Sequence, residues 1–244
     1  MDVALTVTVL GCSGSYPGPG AACSGYLVRG AGTTVWLDAG PGTLANLQRH
    51  VPLSELDAVV LTHEHPDHWT DLEGYRVAST YVLDQPAAPV YAPASLADRV
   101  YAGFRSGVDW RTVGDGASVR IGGLDLRFSR TDHPPETLAV RIDGGGRSLA
   151  YSADTGPGWS FEALGPGIDL GLCEATYLAD QEASANGGHL SAAQAGAMAR
   201  RAGVARLVLT HLWPTVDPAR SMAEAEAAYG APVTMAAIDQ HHQV

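Results

Sequence analysis

The chain has 244 residues, 45% of them hydrophobic, enough for a large core in one domain and short for two. Its 15 basic residues against 26 acidic ones give a net charge of −11, so a long polyanion such as nucleic acid meets overall repulsion. Every basic side chain is arginine, which excludes a P-loop lysine, Schiff-base chemistry and a lysine general base.

The opening MDVALTVTVLG has no positive region before an apolar stretch and no cleavage site, so it reads as a first strand over 5–11 and not as a signal peptide. Strands are expected at 24–30 and 33–40, a helix at 42–50, a buried strand at 56–63 and a helical stretch over 67–81. A short strand in PVYAP and a helix over 94–104 follow. The second half continues with hairpins over 118–133 and 137–154, then a strand in IDLGLCEATY. A helix over 191–203, a strand over 205–213, a helix over 221–229 and a last strand over 233–239 complete it.

Strands cluster and then helices return, in both halves. That pattern is α+β: a four-layer αββα sandwich of two mixed sheets with helices outside, in a single domain over 1–244. VVLTHEH and LVLTHLW resemble each other and point to an internal duplication. No run reaches the ~18 apolar residues of a membrane span, and a cytoplasmic protein is expected. Cys12, Cys23 and Cys173 are odd in number and form no C-x-x-C pair, so they read as small buried thiols.

The stretch LTHEHPDHWTDLEG carries most of the chemistry. Residues two apart in an extended chain share a side, so His63 and His65 can reach one ion. Pro66 biases His65 away from helix, and the turn that follows lets Asp67 and His68 face a second point nearby. Asp67 at a helix N-terminus is also favoured by the dipole. His133, Asp154 and His211 each follow an apolar run, and His189 lies in a glycine-flanked loop. His50 closes a helix, where a histidine suits the dipole, and His241 and His242 lie in a polar tail.

The order His-x-His-x-Asp-His, then a lone His, Asp and His at strand ends, resembles the metallo-β-lactamase superfamily over nearly the whole chain. The resemblance implies that His63, His65, His133 and Asp154 hold one metal. Asp67, His68, Asp154 and His211 would hold the other, with Asp154 bridging and Asp38 orienting ligands from behind. VTVLGCSGSYPGPG, CEATY and GGHLSAAQAG are similar to motifs of the ribonuclease Z-like branch, and nearest to its atypical bacterial cyclic-nucleotide phosphodiesterases. They add Glu174 and His189.

This resemblance implies a dinuclear phosphodiesterase acting on small cyclic nucleotides such as cyclic AMP. Two divalent ions, zinc or else manganese or iron, would generate hydroxide near neutral pH and draw in phosphate oxygens. Their charge, less two carboxylates and a hydroxide, leaves the site at about +1 on an anionic protein, which favours a small anion over a long one. His189, its tautomer fixed by Glu174, would protonate the leaving oxygen, with Asp67 also taking a catalytic part. Ser191 is a plausible N-cap for the next helix.

Trp69 and Trp213 could stack on a base, with core packing the competing reading. Ser13 and Ser15 could touch phosphate, with turn chemistry the competing reading. Alternatives are transfer-RNA 3′-end processing and hydrolysis of esters, lactams or thioesters. The first usually needs a basic, glycine-rich arm between the third histidine and the bridging aspartate, where this chain has only a tight hairpin. A homodimer is common among such enzymes.

Overall fold

The computed structural model describes residues 4–83, 85–100, 108–184 and 187–244. Two seven-stranded sheets form its centre. The first contains β1 (Thr6–Gly11), β2 (Gly25–Gly30), β3 (Thr33–Ala39), β4 (Ala58–Val60), β5 (Val90–Ala92) and β6 (Trp110–Thr112) in that order, with β14 (His241–Gln243) on the outer edge of β1. The second runs from β7 (Ser118–Ile121) through β8 (Leu124–Arg130), β9 (Leu138–Gly144), β10 (Arg147–Tyr151), β11 (Leu170–Glu174) and β12 (Leu207–Thr210) to β13 (Thr234–Met235). In both sheets an antiparallel half gives way to a parallel half, at β3 in one and β10 in the other.

Strand periodicity explains the layering. Val35 and Leu37 of β3 point between the sheets and meet Leu126, Val140 and Leu149 in one core, whereas Trp36 points outward. In the same way Val60 faces inward while Val59 and Leu61 face outward. Outside the first sheet lie α1 (Thr43–Leu47) and α2 (Asp71–Tyr81), which contribute Leu47, Leu72 and Tyr75 to a second core. Outside the second lie α3 (Ala192–Arg201) and α4 (Pro218–Tyr229), which bury Ala195, Met198, Ala225 and Tyr229 against Cys173 and Leu209. This is the αββα sandwich expected from the sequence. Among the described residues no helix is long and apolar enough to cross a membrane.

Several elements differ from expectation. The helical stretch at 67–81 is a 3₁₀ turn, Pro66–His68, followed by α2, because Trp69 leaves helical geometry at φ −145°. Asp67 therefore has no α-helix N-terminus to stabilise it. The helix at 94–104 is a 3₁₀ turn over Ala94–Asp98, and 101–104 lie outside the described residues. The helix at 42–50 shortens to α1, and His50 pairs with Asp239 at 2.8 Å. The last strand shrinks to β13, since Asp239 turns the chain at φ 67° toward the other sheet. The polar tail becomes β14, whose Gln243 pairs with Thr6. An edge strand has one side unpaired and needs no apolar run, so neither β14 nor β6 was legible.

The helix beside His189 is set by its first turn and by one close approach. Ser191 caps α3 through a full capping box with Gln194. Gly196 lies so near α4 that an added Cβ would sit 2.4 Å from the Ala225 carbonyl oxygen. Gly196→Ala is expected to lower stability by about 1–3 kcal/mol in urea unfolding, and an unchanged midpoint would show that α3 and α4 can part without cost.

Candidate metal centre

The predicted donors converge where the sheets' strand ends meet. The ligand atoms of His63, His65, His133 and Asp154 all lie within 4.8 Å of one another, and those of Asp67, His68 and His211 do likewise. Asp154 belongs to both groups by geometry. Its Oδ2 is 3.5 Å from His63 Nε2 and 3.8 Å from His133 Nε2, while its Oδ1 is 3.3 Å from His68 Nε2 and 3.4 Å from His211 Nε2. Asp67 Oδ2 closes the second group at 3.3 Å from His211 Nε2 and 3.5 Å from His68 Nε2. All seven are buried except His65, which is half-buried.

Each buried imidazole is aimed by its other nitrogen. Asp38 Oδ2 accepts from His68 Nδ1 at 2.8 Å and from the Tyr151 hydroxyl at 3.1 Å, and the two Asp38 oxygens accept from the Thr62 amide and hydroxyl. Thr62 Oγ1, spent as a donor to Asp38, can accept from His63 Nδ1 at 3.1 Å. His133 Nδ1 donates to the Gly188 carbonyl at 2.6 Å. Thr176 Oγ1 donates to Glu174 at 2.7 Å and so can accept from His211 Nδ1 at 2.9 Å. In all four rings the proton is drawn to Nδ1, and Nε2 presents a lone pair to the centre.

The backbone is strained around these residues. Asp38, Ala153 and His211 have φ values of 55°, 50° and 59°, a left-handed conformation costing about 1–3 kcal/mol each for ordinary residues. The surrounding hydrogen bonds and packing hold them there. Gly14 is obligatory for a different reason: a Cβ on it would lie 2.5 Å from the His211 carbonyl oxygen. That contact lets the following amide, of Ser15, donate to Asp67 Oδ2 at 2.8 Å, the support that the helix dipole does not give.

The electrostatics favour a cation. Burial and the neighbouring His68 push the His63 imidazole down to about 3, so it is a free base near neutral pH. Burial opposes ionisation of Asp154, but the facing His211, His68 and His63 hold its carboxyl well below the usual range. Asp67 behaves alike: burial raises it and His68 with His211 outweigh that. Burial would neutralise His68, yet the carboxylates of Asp154, Asp67 and Asp38 raise it well above an ordinary histidine. A proton on His68 and a metal ion are alternative answers to the same surplus of negative charge. His63 Nε2 and Asp154 Oδ1 are buried without a hydrogen-bond partner, which is costly unless something else satisfies them. An all-His/Asp set with such orphaned lone pairs fits divalent metal ions.

Beside this centre lies a second, fully engaged pair. Glu174 is completely buried and accepts from the amides of Thr155 and Leu190, from Thr176 Oγ1 and from His189 Nδ1 at 3.0 Å. Burial lowers the His189 imidazole, but the charge and hydrogen bond of Glu174 prevail and raise it to about 9. His189 stacks on His211 at 5.4 Å and comes within ligand distance of Asp154.

Three other predicted residues are placed differently. Ser13 spends its hydroxyl on the Tyr16 carbonyl at 2.8 Å, inside the glycine turn. Trp69 packs into the core beneath α2, and its indole N–H donates to the Glu64 carbonyl at 3.0 Å, so the packing reading replaces base stacking. Trp213 is half-buried beside the centre and donates to Ser15 Oγ at 2.9 Å. Sequence reasoning missed Thr62, Thr176, Tyr151 and the Ser15 amide. Thr62 precedes His63 in one LTH, and Thr176 lies in CEATY, so both adjoined motifs already singled out.

An αββα sandwich with two adjacent His/Asp donor groups at its strand ends defines a metallo-β-lactamase-fold hydrolase. The family model for the beta-lactamase superfamily domain matches residues 33–212, and the chain belongs to the metallo-β-lactamase superfamily. An uncharacterised protein of Mycobacterium tuberculosis is 36% identical over 256 residues, covering 99% of this chain and 93% of that one. The probable metallo-hydrolase YhfI of Bacillus subtilis is 31% identical over 216 residues, covering 85% and 87%. The crystal structure of YhfI matches with a TM-score of 0.89 over 99% of each chain, at 27% identity. Ribonuclease Z of Mycobacterium avium is 30% identical over 244 residues, covering 87% of both.

Asp38→Asn should weaken divalent-metal binding by about 10–100-fold. Competition with a chromogenic chelator would measure it, and wild-type affinity in the variant would show that Asp38 is only structural.

Proposed function

We propose that the protein is a dinuclear metal-dependent phosphodiesterase acting on small phosphodiesters, 3′,5′-cyclic nucleotides such as cyclic AMP above all. The observation that carries this is the Glu174–His189 pair: an imidazole oriented by a buried carboxylate and standing beside the two donor groups. When bound, two divalent ions, with zinc the first choice and manganese or iron also suited to these donors, supply positive charge for the phosphate oxygens and an activated water.

The chain's own residues do the rest. His63, His65, His133 and Asp154 would hold one ion, and Asp67, His68, Asp154 and His211 the other. Asp67, fixed by the Ser15 amide, would also orient the attacking water. His189 faces the departing sugar oxygen. As the P–O3′ bond breaks, its Nε2 proton passes to that oxygen, and Glu174 stabilises the imidazolium beforehand. Asp38 and Thr176 keep the ligand rings in the correct tautomer.

The ribonuclease Z relative supports a second reading, endonucleolytic cleavage of transfer RNA precursors. Two observations weigh against it. β9 and β10 are joined through Gly145 and Gly146 alone, with no arm in that interval, and the chain carries a charge of −11. Ester, lactam or thioester hydrolysis leaves the Glu174–His189 pair without a purpose.

His189→Ala is expected to lower kcat on cyclic AMP by roughly 10²–10⁴ and to matter far less on bis(p-nitrophenyl) phosphate, whose leaving group needs no proton. Equal losses on both substrates would remove His189 from the acid role. Faster wild-type cleavage of a pre-tRNA or of nitrocefin than of either phosphodiester would overturn the assignment.

A further inference from the structure

One wall of the metal centre is aromatic, and nothing in the proposed chemistry requires it. Tyr177 follows the CEAT stretch, and its ring meets the Trp213 ring edge-on, with centroids 5.0 Å apart at 85°. The same Tyr177 ring lies 6.0 Å from His189, again edge-on at 87°. Tyr16, on the neighbouring turn, is the large hydrophobic side chain most exposed in this region, at 47%.

The wall is rigid. The Tyr177 amide donates to the Leu190 carbonyl, and the Ala192 amide donates to the Tyr177 carbonyl, which ties the residue to the first turn of α3. Trp213 is held by Ser15 Oγ, and the Ser15 amide in turn holds Asp67. Ser15 itself is in the left-handed conformation at φ 62°. A strained residue thus links the aromatic corner to a metal-ligand candidate. Tyr177 differs from the other tyrosines that line the strand ends. The Tyr26 hydroxyl bonds to Thr210 and the Tyr151 hydroxyl to Asp38, whereas among the described residues the Tyr177 hydroxyl has no protein partner and is not sealed from solvent.

We infer that Trp213, braced edge-on by the buried Tyr177, forms the recognition corner for the planar base of a nucleotide whose phosphate occupies the metal centre. This rests on the phosphodiesterase reading and names the part of the substrate that sets its specificity. A nucleotide with its phosphate between the donor groups and its departing oxygen at His189 must carry its sugar and base past His189. Trp213, half-buried, is the ring that can meet the base there, and Tyr177, only 8% exposed, holds it from the side. A base stacks on any aromatic face with little regard to sequence, and the free Tyr177 hydroxyl offers one hydrogen bond to select among bases or to hold the ribose. Stiff rings that are already pinned lose little conformational freedom on binding.

The test is calorimetric titration of the metal-loaded protein with AMP and with ribose 5-phosphate, its base-free counterpart. Wild type should bind AMP at least about tenfold more tightly than ribose 5-phosphate. In Tyr177→Leu and Trp213→Leu, which keep apolar bulk and lose the ring, that ratio should fall toward about one while ribose 5-phosphate binds as before. Tyr177→Phe, a variant that preserves packing, should retain most of the ratio. Equal affinities in wild type would overturn the inference. So would a ratio that survives in both leucine variants, or a parallel weakening of both ligands. Turnover of cyclic AMP is measured separately: base-dependent binding without turnover sinks the phosphodiesterase reading and leaves the recognition corner standing.

Discussion

One buried carboxylate organises this molecule. Asp154 stands at the mouth of the sandwich with each oxygen turned to a different group of imidazoles, and it is almost wholly removed from water. An ionised carboxylate in such a place is costly by itself. It is tolerable only if positive charge stands on both sides, and the fold is built to permit that. β10 delivers Asp154, β4 delivers the His-x-His-x-Asp-His loop, and β12 delivers His211, so the constellation exists only when both sheets are closed on each other. Stability of the core and integrity of the site are therefore one problem.

Around that carboxylate the protein fixes nitrogen lone pairs through a second ring of donors and acceptors. Asp38, Thr62, Thr176 and the Gly188 carbonyl each occupy the far side of a ligand ring. The strained backbone at Asp38, Ala153 and His211 shows that geometry has been favoured over local conformational ease. Glu174 joins the two functions, since it orients His189 directly and His211 through Thr176. The metal centre and the candidate acid thus share a single buried anchor.

Much of this was legible in the chain itself. The clustered histidines of 63–68 announce a metal site because their spacing matches an extended strand end; Asp154 and His211 follow apolar runs that form buried strands, while His133 follows the alternating, half-exposed β8. Alternation gave the strands of both inner faces. What could not be read has a common physical origin. The 3₁₀ turn at Pro66–His68 is dictated by the site and not by helical periodicity. β14 pairs across 233 or more residues and carries no apolar signal. Trp69 and Trp213 follow ligand motifs in the same way, yet one is in the core and the other at the rim, because only tertiary packing decides which side of the turn each ring takes. Tyr177 was hidden for the same reason.

The central claim is that Asp154 is shared by two cations. Anomalous X-ray diffraction from crystals of the metal-loaded protein tests it directly. The account predicts two peaks flanking the Asp154 carboxylate, about 3.5–4 Å apart, one against His63, His65 and His133 and the other against Asp67, His68 and His211. A single peak at full metal loading, or peaks away from Asp154, would contradict it.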